Sequence, residues 1–224
     1  MKAAGHRQAT EIPRSELAGA LRAGLSALQL SLNAQAQERL LDYLDLLDKW
    51  NSVYNLTAIR NRQDMLSVHL LDSLALVPLI ERLGVHHVLD VGAGAGLPGI
   101  PLAIALTGLR VDLVDAVQKK TAFQTQVKAQ LQLANLHCHH ARVEALTLAQ
   151  SPDCIISRAF SDLADMVRLA GPLLAADGVI VAMKGQLPQQ EMAALPAPWR
   201  VSEVLPLQVP GLDAQRCALV LERA

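Results

Sequence analysis

Residues Leu89–Pro101 read LDVGAGAGLPGIP, a short apolar run that breaks into four glycines and two prolines. A stretch so rich in glycine leaves backbone bare where something must approach closely. Gly92, Gly94 and Gly96 give the pattern G-x-G-x-G. A dinucleotide-binding turn needs G-x-G-x-x-G, whose third glycine falls at position 97, and that position is Leu97, followed by Pro98. A triphosphate loop needs G-x-x-x-x-G-K-[ST], and nothing of that kind follows. The two commonest phosphate ligands therefore fail on spacing. Proline is at home in the first turn of a helix, so the segment reads as strand, tight glycine turn and helix.

Outward from this turn the chain has two characters. From His86 onward VLDVG, VDLVD, LHCHHA, CIISRA and GVIVAMK are short, β-rich apolar runs of the fully buried kind. Helix-length PGIPLAIAL and QKKTAFQTQVKAQLQL separate the first three, and SDLADMVRLAGPLLA precedes the fifth. This alternation predicts an α/β fold with a doubly wound parallel sheet. The end differs. WRVSEVLPLQV and RCALVLER flank Pro210-Gly211 with no room for a crossover helix, so they pair as an antiparallel hairpin. Before His86 the pattern is helical. Leu17, Leu21, Leu25 and Leu28 mark one helix, and Leu40, Leu44 and Leu47 mark a second, capped at Asn33. WNSVYNLTAIRN reads as a loop, and a third helix is predicted from about Gln63 to Arg82. The division is an N-terminal helical extension over 1–83, packed on a Rossmann-like domain over 84–224, the two forming one structural unit.

The chain has 224 residues, 51% of them hydrophobic, with a mean hydropathy of +0.25. No apolar run approaches the ~18 residues of a membrane span. MKAAGHRQATEIPRSE lacks the apolar centre of a signal peptide, which predicts a cytoplasmic protein. Cys138, Cys154 and Cys217 are scattered and lack metal-type spacing, as suits a reducing compartment. With a net charge of −1, any nucleic-acid contact requires basic groups gathered on one face. His137 to His140, HCHH, invites a metal reading, but a strand alternates their faces and no second ligand group matches, so no metal is expected.

A doubly wound sheet ending in a hairpin matches the layout of S-adenosylmethionine-dependent methyltransferases. A glycine turn without phosphate spacing suits the adenosyl and carboxypropyl parts of that cofactor. VDLVD then places Asp115 at the end of the second strand, where a carboxylate can accept from both ribose hydroxyls; the bland alternative is a helix cap. The acceptor also leaves traces. The D/N/S-P-P-aromatic turn that accompanies exocyclic amine methylation is replaced by SRAFSD. Methylation at pyrimidine C5 needs a nucleophilic cysteine, and Cys154 reads as a core residue. An acceptor with a free lone pair, such as a ring nitrogen, is favoured.

LDVGAGAGLPGIPLAIA, with WNSVYNLTAI, HLLDSLAL, SRAF and MKG in this order, resembles the glucose-inhibited-division-B family from about Leu40 to the C-terminus. The resemblance implies transfer of a methyl group from S-adenosyl-L-methionine to guanine N7 in 16S, small-subunit, ribosomal RNA, leaving S-adenosyl-L-homocysteine. It implies that Gly92 and Leu97, with Gly94 and Gly96 of the same turn, line the cofactor pocket, that Asp115 holds the ribose, and that Val143 and Glu144 lie beside the adenine. The partner is then the small-subunit RNA or its ribosomal particle, met by a monomer away from any membrane.

Arg158 of SRAF follows a buried strand, where open α/β sheets bind ligands. It is the candidate catalytic residue, able to grip the cofactor carboxylate or an RNA phosphate, against a structural ion pair with Asp162 or Asp165. Lys184 ends the fifth strand and either meets RNA or caps the strand. Asn55, Arg60 and His69 are candidates for the RNA face. His69 and Asp72, three apart on one helix face, favour a hydrogen-bond network between the helical part and the sheet over a catalytic pair. Two rival readings share the fold: a small-molecule methyltransferase, and an RNA-binding assembly factor without turnover.

Overall fold

The computed structural model describes residues 12–158, 160 and 162–224. Most of the segment read for a signal peptide, residues 1–11, lies outside them, as do Ala159 and Ser161 of SRAFSD.

The leucine stripes produce the expected helices. α1 (Arg14–Ala27) buries Leu17, Leu21 and Leu25, with Leu28 partly covered just beyond its end. α2 (Ala34–Tyr54) starts at Asn33, whose side chain accepts from the Ala36 N–H at 2.8 Å, and buries Leu40, Leu44 and Leu47. It runs five residues into the expected loop and stops at Asn55, which takes the left-handed conformation at φ 50°. Asn51 belongs to the helix because its side chain works inward. It is 1% exposed, donates to the Ile59 carbonyl and accepts from the Thr57 N–H, both at 2.9 Å, and so pins the following loop. The expected helix over 63–82 is interrupted. α3 (Arg62–Met65) passes through a wider π-turn at Leu66–Leu71 into α4 (Asp72–Leu74), and α5 (Val77–Arg82) begins afresh around Pro78, which cannot extend a preceding helix. Arg62–Arg82 is long and apolar enough for a membrane span, but 72% of its 18-residue apolar window is buried within the fold.

The sheet contains β1 (His87–Val91), β2 (Arg110–Asp115), β3 (Leu136–His140), β4 (Cys154–Ser157), β5 (Val179–Lys184), β6 (Trp199–Pro206) and β7 (Cys217–Arg223). Their order is β3-β2-β1-β4-β5-β7-β6, with the first five parallel. The terminal hairpin forms as expected, and β7 inserts between β5 and β6, antiparallel to both. LHCHH departs from the reading as a fully buried run. β3 is an edge strand, and only Leu136 of it is buried.

Strand alternation divides the interior between two faces. Val88, Val111 and Leu113 join one apolar cluster with α1 to α5, α6 (Gly99–Ala105) and α7 (Gln118–Leu131). Leu89, Val91 and Val114 face the other, with Leu163, Met166 and Val167 of α8 (Leu163–Ala170). The first cluster runs from Leu17 to Val220 without a gap between the N-terminal helices and the sheet. At the amino end of the sheet, buried Asp112 accepts from His87, His139 and Arg110 at 2.7, 2.5 and 2.9 Å. Burial opposes its charge, but those three donors outweigh burial and hold its carboxyl well below the usual carboxylate range.

Candidate functional site

The carboxyl ends of the strands carry the site, as chain reversal in an open parallel sheet requires. β1 ends in the glycine turn, where Gly92, Gly94 and Gly96 take φ values of 69°, 61° and 85°. L side chains rarely adopt this region, so the three glycines are required by the backbone itself. Three side chains hold the turn. The Asp115 carboxylate accepts from the Gly94 N–H at 2.9 Å through Oδ2 and from the Val117 N–H at 2.9 Å through Oδ1. Gln124 of α7 donates to the Gly94 carbonyl at 2.9 Å, and the Tyr43 hydroxyl of α2 donates to the Ala95 carbonyl at 2.9 Å. Behind the turn, Asp90 Oδ2 accepts from the Gly99 N–H at 2.8 Å, while its other oxygen is buried without a partner. Burial pushes the Asp90 carboxyl up to about 7, against the Gly99 hydrogen bond and the Arg158 charge.

A cavity of about 320 Å³ opens where β1, β2 and β3 end. Gly92, Asp115, Val143 and Glu144 all line it, so four predicted cofactor residues meet in one place. Val143 and Glu144 lie in a short 3-10 turn, Val143 buried and Glu144 exposed. Phe160 and Lys120 complete the walls, and the Lys120 ammonium is 3.6 Å from Asp115. Gly94, Gly96 and Leu97, expected to line the pocket with Gly92, do not line this cavity, and Leu97 packs into the core.

Arg158 is elsewhere. It lines a second cavity of about 280 Å³ with Asp72, Lys184 and Arg216. An ion pair does form, as in the alternative to a ligand-gripping role, but with Asp72 rather than Asp162 or Asp165: Asp72, 1% exposed, takes Arg158 at 3.0 Å and Arg216 at 3.2 Å. Arg158 also donates to the Val68 carbonyl. Asp162 instead caps α8, accepting from the Ala164 and Asp165 N–H groups. Lys184 pairs with Glu191 at 2.8 Å and donates to the Phe160 carbonyl.

His69 bonds within the helical part, and Asp72 alone of the pair reaches the sheet side, through Arg158 and Arg216. The His69 Nε2 lies 2.9 Å from the Thr57 hydroxyl, and burial, then the Arg158 charge, lower its pKa to about 4. The imidazole is therefore neutral at physiological pH and ties the NLT loop to the helix. Asn55 and Arg60 hydrogen-bond to each other at the loop's start, and Arg60 also donates to the Asn51 carbonyl. Lys119 reaches the Tyr54 carbonyl at 2.8 Å and joins this loop to α7. Among the described residues no group of His, Cys, Asp and Glu could hold a metal ion.

Tyr43, Gln124 and Arg216 were not legible as site residues. Tyr43 and Gln124 look like ordinary helix positions, and nothing local announces that their polar ends reach the glycine turn. Arg216 immediately precedes β7, 58 positions after Arg158, and only the sheet brings the two onto Asp72.

A sheet of this order, with a glycine turn closing its first strand and an acid closing its second, is a methyltransferase fold, and the chain's relatives make it an S-adenosylmethionine-dependent methyltransferase. Solved structures share the fold. The glycopeptide N-methyltransferase MtfA matches with a TM-score of 0.57 at 14% identity, over 68% of this chain and 96% of that one. The N-methyltransferase NodS from Bradyrhizobium japonicum WM9, in complex with S-adenosyl-L-homocysteine, matches with a TM-score of 0.55 at 13% identity, over 79% and 98%. The family model for rRNA small subunit methyltransferase G matches residues 36–220. The ribosomal RNA small subunit methyltransferase G of Ralstonia nicotianae is 54% identical over 90% of this chain and 93% of its own length. That of Methylibium petroleiphilum is 50% identical over 92% and 95%. The chain belongs to the rRNA small subunit methyltransferase G family.

Proposed function

We propose that the protein transfers a methyl group from S-adenosyl-L-methionine to N7 of a specific guanine in small-subunit ribosomal RNA, acting as a monomer in the cytoplasm on the RNA or its particle. The observation that carries this reading is the family match over 36–220 together with the cavity that unites Gly92, Asp115, Val143 and Glu144. In this reading residues 84–224 form the transfer domain, and the helical part over 1–83 packs on it as one unit.

The donor set fits the cofactor. The turn places bare backbone beside the cavity, Asp115 puts a buried carboxylate at its wall, and Val143 adds an apolar surface. Asp115 would accept from the ribose hydroxyls, Val143 would cover the adenine, and Glu144 would accept at its edge. Bound there, S-adenosylmethionine supplies an electrophilic methyl group on its sulfonium. Guanine N7 presents a free lone pair, so no residue has to take a proton from it. Catalysis then rests on placement and charge. Arg158 and Lys184, held by Asp72 and Glu191 at the ends of β4 and β5, would orient RNA phosphates.

The test is methyl transfer from labelled cofactor to small-subunit RNA, protein-free and in assembled subunits, with the product base mapped by mass spectrometry. Label at N7 of one guanine is expected. Label found only on a small molecule, with RNA untouched, defeats the reading.

A further inference from the structure

A third cavity is distinct from the two above. It encloses about 630 Å³ between the loop after β5 and the connection from β6 to β7. Leu187, Val204, Leu207 and Leu212 give it apolar walls, and Gln186 and Gln215 add amides that can both donate and accept. Leu187 is 45% exposed and Val204 37%, so these walls present apolar surface to solvent. The connection itself is firmly seated. Gly211, at φ 76°, packs so closely on Ser67 that a Cβ there would lie 2.7 Å from the Ser67 hydroxyl.

The cavity neighbours the smaller one beside Arg158, since Gly185 and Arg216 line both. Arg216 stands at the junction. Asp72 orients its guanidinium through Nε, and Nη1 donates to the Gln215 carbonyl at 2.9 Å. The combination is an apolar slot, amides at its edge, and a planar cation at the mouth toward Arg158 and Lys184. That set of groups matches one unstacked nucleotide: base faces need apolar walls, base edges need amides, and phosphate needs a guanidinium. The volume lies within the ~300–1,000 Å³ range of small-ligand sites. We propose that this cavity receives a nucleotide of the RNA strand flanking the methylated guanine, with its base against Leu187 and Val204 and its phosphate at Arg216. The inference rests on the guanine reading above and adds a second RNA subsite beside the cavity of Arg158.

The experiment pairs kinetics with photocrosslinking on the full chain. Leu187→Glu, in an exposed loop, should raise KM for small-subunit RNA by about tenfold, the size expected when one base loses its stacking surface. Affinity for S-adenosylhomocysteine should stay unchanged, and Leu187→Met should restore KM. A benzoylphenylalanine at position 187 should crosslink to RNA within a few nucleotides of the methylated base. An unchanged KM overturns the proposal, as does a crosslink found only on ribosomal protein or not at all. The wild-type reaction reads the guanine assignment separately. If the wild type leaves small-subunit RNA unmethylated, that assignment fails; if it methylates normally while position 187 neither crosslinks nor alters KM, only the second subsite fails.

Discussion

The Gly94 N–H points at the Asp115 carboxylate from 2.9 Å, so the end of β2 holds the turn that closes β1. One oxygen steadies the turn, the other accepts from Val117, and the same side chain lines the cavity of Gly92, Val143 and Glu144. Geometry and ligand capacity are thus joined in one residue.

Asp115→Ala should therefore weaken S-adenosylhomocysteine binding roughly ten- to one-hundred-fold, the effect of losing hydrogen bonds of about 1.5–3 kcal/mol to a charged group. Calorimetry gives the answer directly, and an unaltered affinity would show the ribose assignment to be wrong.

Gly99 needs to be glycine because α6 meets the sheet there. A Cβ would lie 2.3 Å from the Leu113 side chain and 2.9 Å from Asp90 Oδ2. Gly99→Ala should cost about 1–3 kcal/mol by overpacking, measured in denaturant. Leu113→Ala placed in the same chain should return part of the overpacking cost beyond its own cavity penalty, and strict additivity of the two changes would count against the clash.

Asp72 separates two arginines at 1% exposure. Asp72→Ala leaves Arg158 and Arg216 facing each other without their counter-ion, and destabilisation of about 3–5 kcal/mol is expected. RNA methylation should fall further than the stability change explains, since both guanidinium groups lose their aim. A variant as stable and as active as the wild type would remove Asp72 from the network.

Asp90 makes stability depend on pH in a definite sense. The folded chain keeps a proton on this carboxyl up to about 7, whereas the ordinary value is 3.8. Between the two the folded state binds more protons, so this group subtracts stability as pH rises through that interval. His69, lowered to about 4 from 6.5, acts in the opposite sense over part of it, its neutral form gaining stability as pH rises. The clean readout is the difference between Asp90→Asn and wild type: the variant should gain on the wild type from pH 5 to pH 8. Parallel pH profiles for the two proteins would place the Asp90 titration elsewhere.

The glycine spacing, the alternation of strands and helices, and the hairpin-forming tail made the fold readable, because each is local and repeats with a fixed period. The same locality explains the misreadings. Asn51 looks like a loop residue until its side chain is seen stapling Thr57 and Ile59 from inside a helix. LHCHH looks buried until the sheet order makes β3 an edge. Arg158 reads as a free grip for a ligand, with nearby Asp162 or Asp165 as the alternative partners, yet it pairs with Asp72, 86 positions away.

The amino-acid sequence by itself determined the class of fold, the turn that can lie against a cofactor and the acid that follows it. It could do so because backbone conformations open only to glycine, and side-chain periods of 2.0 and 3.6 residues, are written in consecutive positions. Only the tertiary structure decided which charges neutralise one another and which cavities share a wall. Arg158, Arg216 and Asp72 come from three separate stretches of chain, and burial in low dielectric binds each charge to whatever lies nearest in space.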